Sequence, residues 1–251
     1  MPGSTTPSAG AGAGSLPVIV VTGMAFEARI ARGDGGDRVE AVYAARADLL
    51  ERALSAAVAR GAAGIISFGT AGGLAPDLEP GALIVADAVD GPFGRLETDR
   101  QWAHRIVAAV TAAGAAEGLA GRLRRGSMAA VAAPLITADD KRALHSSTGA
   151  LAVDMESHIA GATAAAHRLP FAICRAVVDP AWRTLPPAAT AGLRDDGSTA
   201  LGPILRELLR QPSQLGALIR LAADARAART TLMQARRAMG EGGVLRMPAI
   251  V

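Results

Sequence analysis

"GIISFGTAGGL", residues 64–74, decides the fold. An apolar run too short for an ordinary helix flows into Gly69, Gly72 and Gly73 around Thr70. That is the pattern of a buried strand entering a glycine-rich turn. On its N-terminal side, "PVIVVTGM" (17–24) reads as another buried strand, and "RADLLERALSAAVARG" (46–61) has helical spacing closed by a glycine. On its C-terminal side follow strand patterns at "GALIVADAV" (81–89), "SMAAVAAPLIT" (127–137) and "FAICRAVVDP" (170–180), the last stopped by Pro180. A helix is predicted over 155–168, ending before Pro170. Strands alternating with helices predict an α/β fold with a layered, largely parallel sheet. "LPPAAT" (185–190) and "RDDGS" (194–198) read as loop before a helical C-terminal region.

Composition narrows the function. With 50% hydrophobic and 20% charged residues, the 251-residue chain can bury a large core. Only 3% is aromatic, so Ala, Leu, Val and Ile fill that core, and a protein that stacks on exposed bases is not expected. No nucleic-acid partner is predicted. The net charge is +3, but from Pro203 onward eight arginines face Glu207, Asp224 and Glu241, which leaves the rest near −2. That basic region suits anionic headgroups, nucleic acid or an acidic partner, or else a solvated helix pair or oligomer contact. Cys174 is the single cysteine, so no intrachain disulfide forms, and its apolar neighbours predict a small buried hydrophobe. The opening "MPGSTTPSAGAGAGS" lacks a basic and an apolar segment and reads as a flexible tail.

The unusual residues gather at strand ends, where ligands collect in open α/β sheets. Glu27 and Arg29 follow the first strand, as a solvated helix start or as ligand contacts. The glycines near Thr70 let backbone amides approach an anion or heterocycle, or merely make a tight turn. Arg175 lies within an apolar strand, with Asp179 at its end. Positions 175, 177 and 179 share a face, so Arg175 and Asp179 form either an ion pair or a site. In "VDMESHIA" (153–160), Asp154 can cap the helix, while Glu156 either serves the helix dipole or grips a polar ligand. His104, His145, His158 and His167 have no metal-ligand spacing, and no nucleophile elbow occurs; no metal or covalent nucleophile is expected.

In this order, "GMAFEA", "FGTAGGL" and "VDMES…RAVVDP" resemble the superfamily of purine nucleoside phosphorylases and methylthioadenosine/S-adenosylhomocysteine nucleosidases, across about residues 17–182. Within it, "TGMAFEARIARG", "GALAVDMESH" and the "LPPAA…RDDGS" tail with its basic helices are most similar to the hopanoid-associated phosphorylases. The resemblance implies a three-layer phosphorylase/nucleosidase-like sandwich with a central mixed, largely parallel sheet. It implies a tail over 1–16 and one domain over 17–251 that includes a basic helical extension, 198–251.

It also implies roles. Asp179 protonates the departing purine, Glu27 orients the attacking water, and Glu156 holds the ribose hydroxyls with Met155 packed on the sugar. Thr70, Gly72 and Gly73 line the sugar or phosphate side, next to Arg175. Stacking aromatics have no clear counterpart, and Leu135 with Ile136 would form an apolar shelf instead. Arg29 is the candidate phosphate ligand. No cofactor is implied, with inorganic phosphate a candidate co-substrate, so phosphorolysis and hydrolysis both stay open.

The implied substrate is adenosylhopane, giving adenine and a ribosyl or phosphoribosyl hopane. The alternatives are methylthioadenosine or S-adenosylhomocysteine as substrate, and a non-catalytic nucleoside-binding protein. A cytoplasmic protein follows, with a candidate peripheral contact at the inner membrane surface and a homodimer as the common assembly.

Overall fold

The computed structural model describes residues 16–114, 118–187 and 201–246. The predicted tail (to residue 15) and most of the loop over 185–198 lie outside them. Eight strands form one mixed sheet: β1 (Val18–Thr22), β2 (Val39–Tyr43), β3 (Gly64–Gly73), β4 (Leu83–Gly91), β5 (Gly94–Glu97), β6 (Leu123–Ala130), β7 (Ala152–Asp154) and β8 (Phe171–Asp179). The helices are α1 (Ala25–Arg32), α2 (Ala47–Ala59), α3 (Arg100–Gly114), α4 (Ala138–Thr148), α5 (Ser157–Ala166), α6 (Leu201–Arg210) and α7 (Leu215–Glu241).

β1 pairs in parallel with β2 and β3, β3 with β8, β4 with β6, and β6 with β7. The β3–β7, β4–β5 and β4–β8 pairs are antiparallel. Five strands therefore close on themselves in the order β3, β8, β4, β6, β7 and back to β3. The period-two alternation of β1, β3 and β8 sends side chains into two cores. Ile19, Ile65, Ile173 and Val177 pack with Leu50 and Leu54 of α2 and Ile159 of α5. Val18, Ile66, Phe68, Ala172 and Cys174 pack with Ala31 of α1, Trp102 and Ile106 of α3, and Leu232 and Met239 of α7. Helices thus cover both faces of the sheet, giving the three layers expected.

Some boundaries differ from expectation. The strand predicted over 127–137 starts earlier and ends at Ala130, leaving 131–137 as a connection to α4. The helix predicted from residue 155 begins at Ser157, because Asp154 ends β7 and its Oδ1 accepts the Ser157 amide at 3.0 Å. The glycine run is not a turn: β3 continues extended through Gly73.

The basic C-terminal region is not an appendage either. Ala228, Leu232, Ala235, Ala238 and Met239 of α7 are buried against the sheet layer. Arg236 is buried with them, 3.0 Å from Asp37 Oδ2 and donating to the Ala31 carbonyl at 2.6 Å. Among the described residues, no helix is long and apolar enough to cross a membrane.

Candidate active site

β3 creates the site by changing partners. One edge pairs with β1 as far as Ser67 and with β7 from Gly72, so between them it has no strand neighbour. Backbone polar groups there must find other partners. Glu27, in the first turn of α1, supplies one: the Thr70 amide and Thr70 Oγ1 both donate to its Oε1 at 2.7 Å. Its Oε2 accepts the Gly23 and Met24 amides at 3.1 and 3.0 Å. Arg175 supplies the other, its Nη1 donating to the Thr70 carbonyl at 3.2 Å.

Arg175 is fully buried on β8, beside β3. Its Nε lies 2.9 Å from Asp154 Oδ2 and its Nη2 lies 3.0 Å from Glu156 Oε2. Nη2 also donates to Ser67 Oγ at 2.6 Å, and Ser67 Oγ lies 2.8 Å from Ser157 Oγ. Burial works against the guanidinium, but Asp154, Glu156 and Glu27 hold its pKa above the ordinary arginine value. Burial pushes Glu156 up to about 7, reinforced by Asp154 and Glu27 and opposed by Arg175. Burial likewise raises the Cys174 thiol to about 12, so it is the inert buried hydrophobe expected.

Two glycines make room for these carboxylates. A Cβ on Gly23 would stand 2.5 Å from Glu156 Oε1, and one on Gly69 would stand 2.7 Å from Glu27 Oε2.

Asp179 ends β8 where the register with β3 shifts: Val177 faces Ala71, Asp179 faces Gly72, and Val178 has no counterpart. Val177 therefore stays in the core, while Arg175, Val178 and Asp179 border the same cavity. Arg175 and Asp179 do not pair. Arg175 goes to Asp154 and Glu156, and Asp179 Oδ2 lies 2.5 Å from Lys141 Nζ. Burial raises the Asp179 pKa, against the lowering pull of Lys141.

These groups border a cavity of about 570 Å³. Of the residues singled out in the sequence, Glu27, Thr70, Gly72, Met155, Glu156, Arg175 and Asp179 line it. Apolar residues complete the lining: Val131, Pro134, Leu135, Leu185, and Leu221 and Ala225 of α7, with Phe26, Val153 and Val178 set beside the carboxylates. Three expected residues are elsewhere. Arg29 is exposed on the outer side of α1. Gly73 is held in the β3–β7 ladder, where an added Cβ would meet Val177 and Pro180. Ile136 does not border the cavity, and its carbonyl accepts the Leu185 amide at 2.9 Å. Lys141, Asp154, Leu221 and Ala225 were missed. A helix over 138–148 was not predicted at all, so nothing singled out its lysine.

A mixed sheet closed into a ring, with helices on both faces and carboxylates at its strand ends, is the architecture of nucleoside phosphorylases and nucleosidases. Residues 13–209 match the phosphorylase superfamily, and the chain belongs to that family. Among solved structures, 5′-methylthioadenosine/S-adenosylhomocysteine nucleosidase from Neisseria meningitidis, in complex with methylthio-immucillin-A, is similar at 15% identity and a TM-score of 0.64. That match covers 89% of this chain and 98% of the other. Futalosine hydrolase of Helicobacter pylori is similar at 15% identity and a TM-score of 0.60, covering 90% and 98%. At these identities the likeness is one of fold. No curated protein matches the chain, and none of these similarities separates the hopanoid-associated subgroup from the rest.

Proposed function

We propose that this protein cleaves the N-ribosidic bond of a purine nucleoside with a bulky apolar 5′ substituent, adenosylhopane, releasing adenine in hopanoid biosynthesis. The mixed lining of the cavity supports this reading: four carboxylates border it together with a broad share of aliphatic side chains. A nucleoside suits the carboxylates and a hydrocarbon the aliphatic groups.

Asp179, its pKa raised by burial, holds the proton that passes to a ring nitrogen of the purine as the C–N electron pair moves onto the base. Glu156 accepts hydrogen bonds from the ribose hydroxyls and fixes the sugar. Water adds its oxygen to C1′ and gives a proton toward Glu27. To receive that water, Glu27 must release one of its four donors. The Thr70 hydroxyl is the one side-chain donor among them and can rotate away.

Water suits this cavity better than phosphate. Glu27, Asp154, Glu156 and Asp179 border it against two cations, Arg175 and Lys141, both already paired. A phosphate dianion would meet carboxylates and no uncommitted cation. The product is then ribosylhopane.

The basic helices offer the lipid end of the substrate a dock. Leu209 is 83% exposed and Ile219 61%, and the same two helices carry exposed Arg206, Arg210, Arg220 and Arg226, a composition that suits an anionic bilayer surface.

Methylthioadenosine or S-adenosylhomocysteine as substrate is the second reading, favoured by similarity to nucleosidases of that specificity. The test is adenine release from adenosylhopane and from methylthioadenosine, each with and without phosphate. Phosphate-independent release from the hopanoid is expected. Release from methylthioadenosine alone would replace the lipid reading, and adenine binding without turnover would leave a nucleoside-binding protein.

A further inference from the structure

α4 is an exposed helix with one fully buried side chain, and that side chain is a lysine. Helices dock through apolar residues, and an isolated buried ammonium is strongly unfavourable. Lys141 escapes that penalty because Nζ has four acceptors: Asp179 Oδ2 at 2.5 Å and the carbonyls of Arg183, Pro180 and Asp179 at 3.0, 3.2 and 3.4 Å. The segment after β8 is fastened to the start of α4 on either side of this contact. The Leu185 amide donates to the Ile136 carbonyl at 2.9 Å, and the Ala138 amide donates to Thr184 Oγ1 at 3.4 Å. Lys141 also borders the cavity.

We propose that Lys141 is the positioning residue for the proton donor: its ammonium fixes Asp179 by Oδ2 and stabilises the carboxylate left once the proton has passed to the purine. The inference rests on the reading of Asp179 as the acid. Before cleavage Asp179 carries the proton. Afterwards the purine carries it, and the new negative charge on Asp179 lies against a cation that needs no rearrangement. The other charged groups facing Asp179 are Asp224 of α7 and, across the cavity, Glu27, Glu156 and Arg175. Arg183 lies beyond Lys141, 2.6 Å from Asp224. Lys141 is the only cation in contact with the Asp179 carboxylate among the described residues.

Activity that needs a protonated Asp179 falls as pH rises through its pKa, so the alkaline limb of the rate profile reports that group. Removing an adjacent positive charge raises a carboxyl pKa by about 1–3 units. Lys141→Met is therefore expected to move the alkaline limb of kcat upward by about one unit or more and to lower kcat by about 10- to 100-fold. KM should hold within about threefold, because the contact lies on the departing base and acts in the transition state. Arg142→Ala, on the exposed side of the same helix, should leave both unchanged.

An unmoved alkaline limb in folded Lys141→Met protein would overturn the proposal. If that variant does not fold, Lys141→Arg decides. A limb within half a unit of wild type supports the assignment, and one displaced upward by a unit or more overturns it. Asp179→Asn separates the two layers of the argument. Full activity there removes the reading of Asp179 itself, whereas lost activity with an unmoved limb in the lysine variant removes only the role of Lys141.

Discussion

The polar and the apolar groups that line the cavity are held in opposite ways. Among the polar groups, every charge is held by the protein itself. Glu27 has four donors, Arg175 joins Asp154 to Glu156, and Lys141 holds Asp179. All of these except Lys141 sit on, or one turn beyond, strands of the closed ring and its β1 neighbour. Much of the apolar lining comes from connections near Val131 and Leu185 and from the outer half of α7. The first set is held by ion pairs and hydrogen bonds within the protein, and the proposed function gives it the chemistry. The second is a set of aliphatic contacts, to which the same proposal gives the choice of 5′ substituent.

The comparison can be broken most sharply at Arg175. Arg175→Met leaves buried Asp154 and Glu156 without their cation, and removing one partner of a buried ion pair costs about 3–5 kcal/mol. Thermal or denaturant unfolding should show that loss, together with abolished adenine release from every nucleoside. Unchanged stability would mean that the polar set is not self-supporting.

Gly23→Ala tests positioning without removing any functional group. Its new Cβ would push Glu156 aside, and misplacing a substrate-positioning group by about 1 Å can lower kcat/KM by about 10²-fold. Steady-state kinetics on both nucleosides should show the same loss, since the ribose is common to them.

In the apolar set, Leu221→Asp should leave methylthioadenosine turnover intact and raise KM for adenosylhopane by about 10- to 100-fold, the scale of one mismatched group in an apolar pocket. Equal effects on both substrates would mean that the apolar set is not a specificity element.

The smallest effect concerns protonation. Glu156, raised to about 7, exchanges its proton near neutrality. As pH climbs from about 6 to about 8 the carboxylate form takes over and accepts the ribose hydroxyls better, so KM should fall severalfold. The same titration in Glu156→Gln should be flat.

The polar set was largely legible in the sequence. Glu27, Thr70, Glu156, Arg175 and Asp179 stand out by their place at strand ends, but each also had a structural reading there, and it was the family resemblance that gave them roles. The strands 64–73, 83–91 and 171–179 were visible as largely apolar runs bounded by glycine or proline. Short edge strands such as β2 and β5, half exposed, carry no such run. The apolar set was hidden, since Leu221 and Ala225 look like any residues of an amphipathic helix and only folding brings them to the site. Lys141 was invisible for a different reason: among the exposed polar residues of α4, one lysine does not announce that it points inward. The arginines of α7 misled in the reverse direction. Arg236 resembles its solvated neighbours in sequence but ties the core to Asp37.

Arg175 has a consequence for how the chain reaches its native state. Glu27 comes from one part of the sequence and Asp154 and Glu156 from another, and these carboxylates repel one another when brought together. Their common counter-ion lies on β8, the last strand among the described residues, between β3 and β4. Until β8 inserts, gathering those carboxylates is unfavourable, so the carboxylate cluster and the closed ring are expected to form together. A partly folded chain has neither, and no population of the molecule should bind a nucleoside while its sheet is still open.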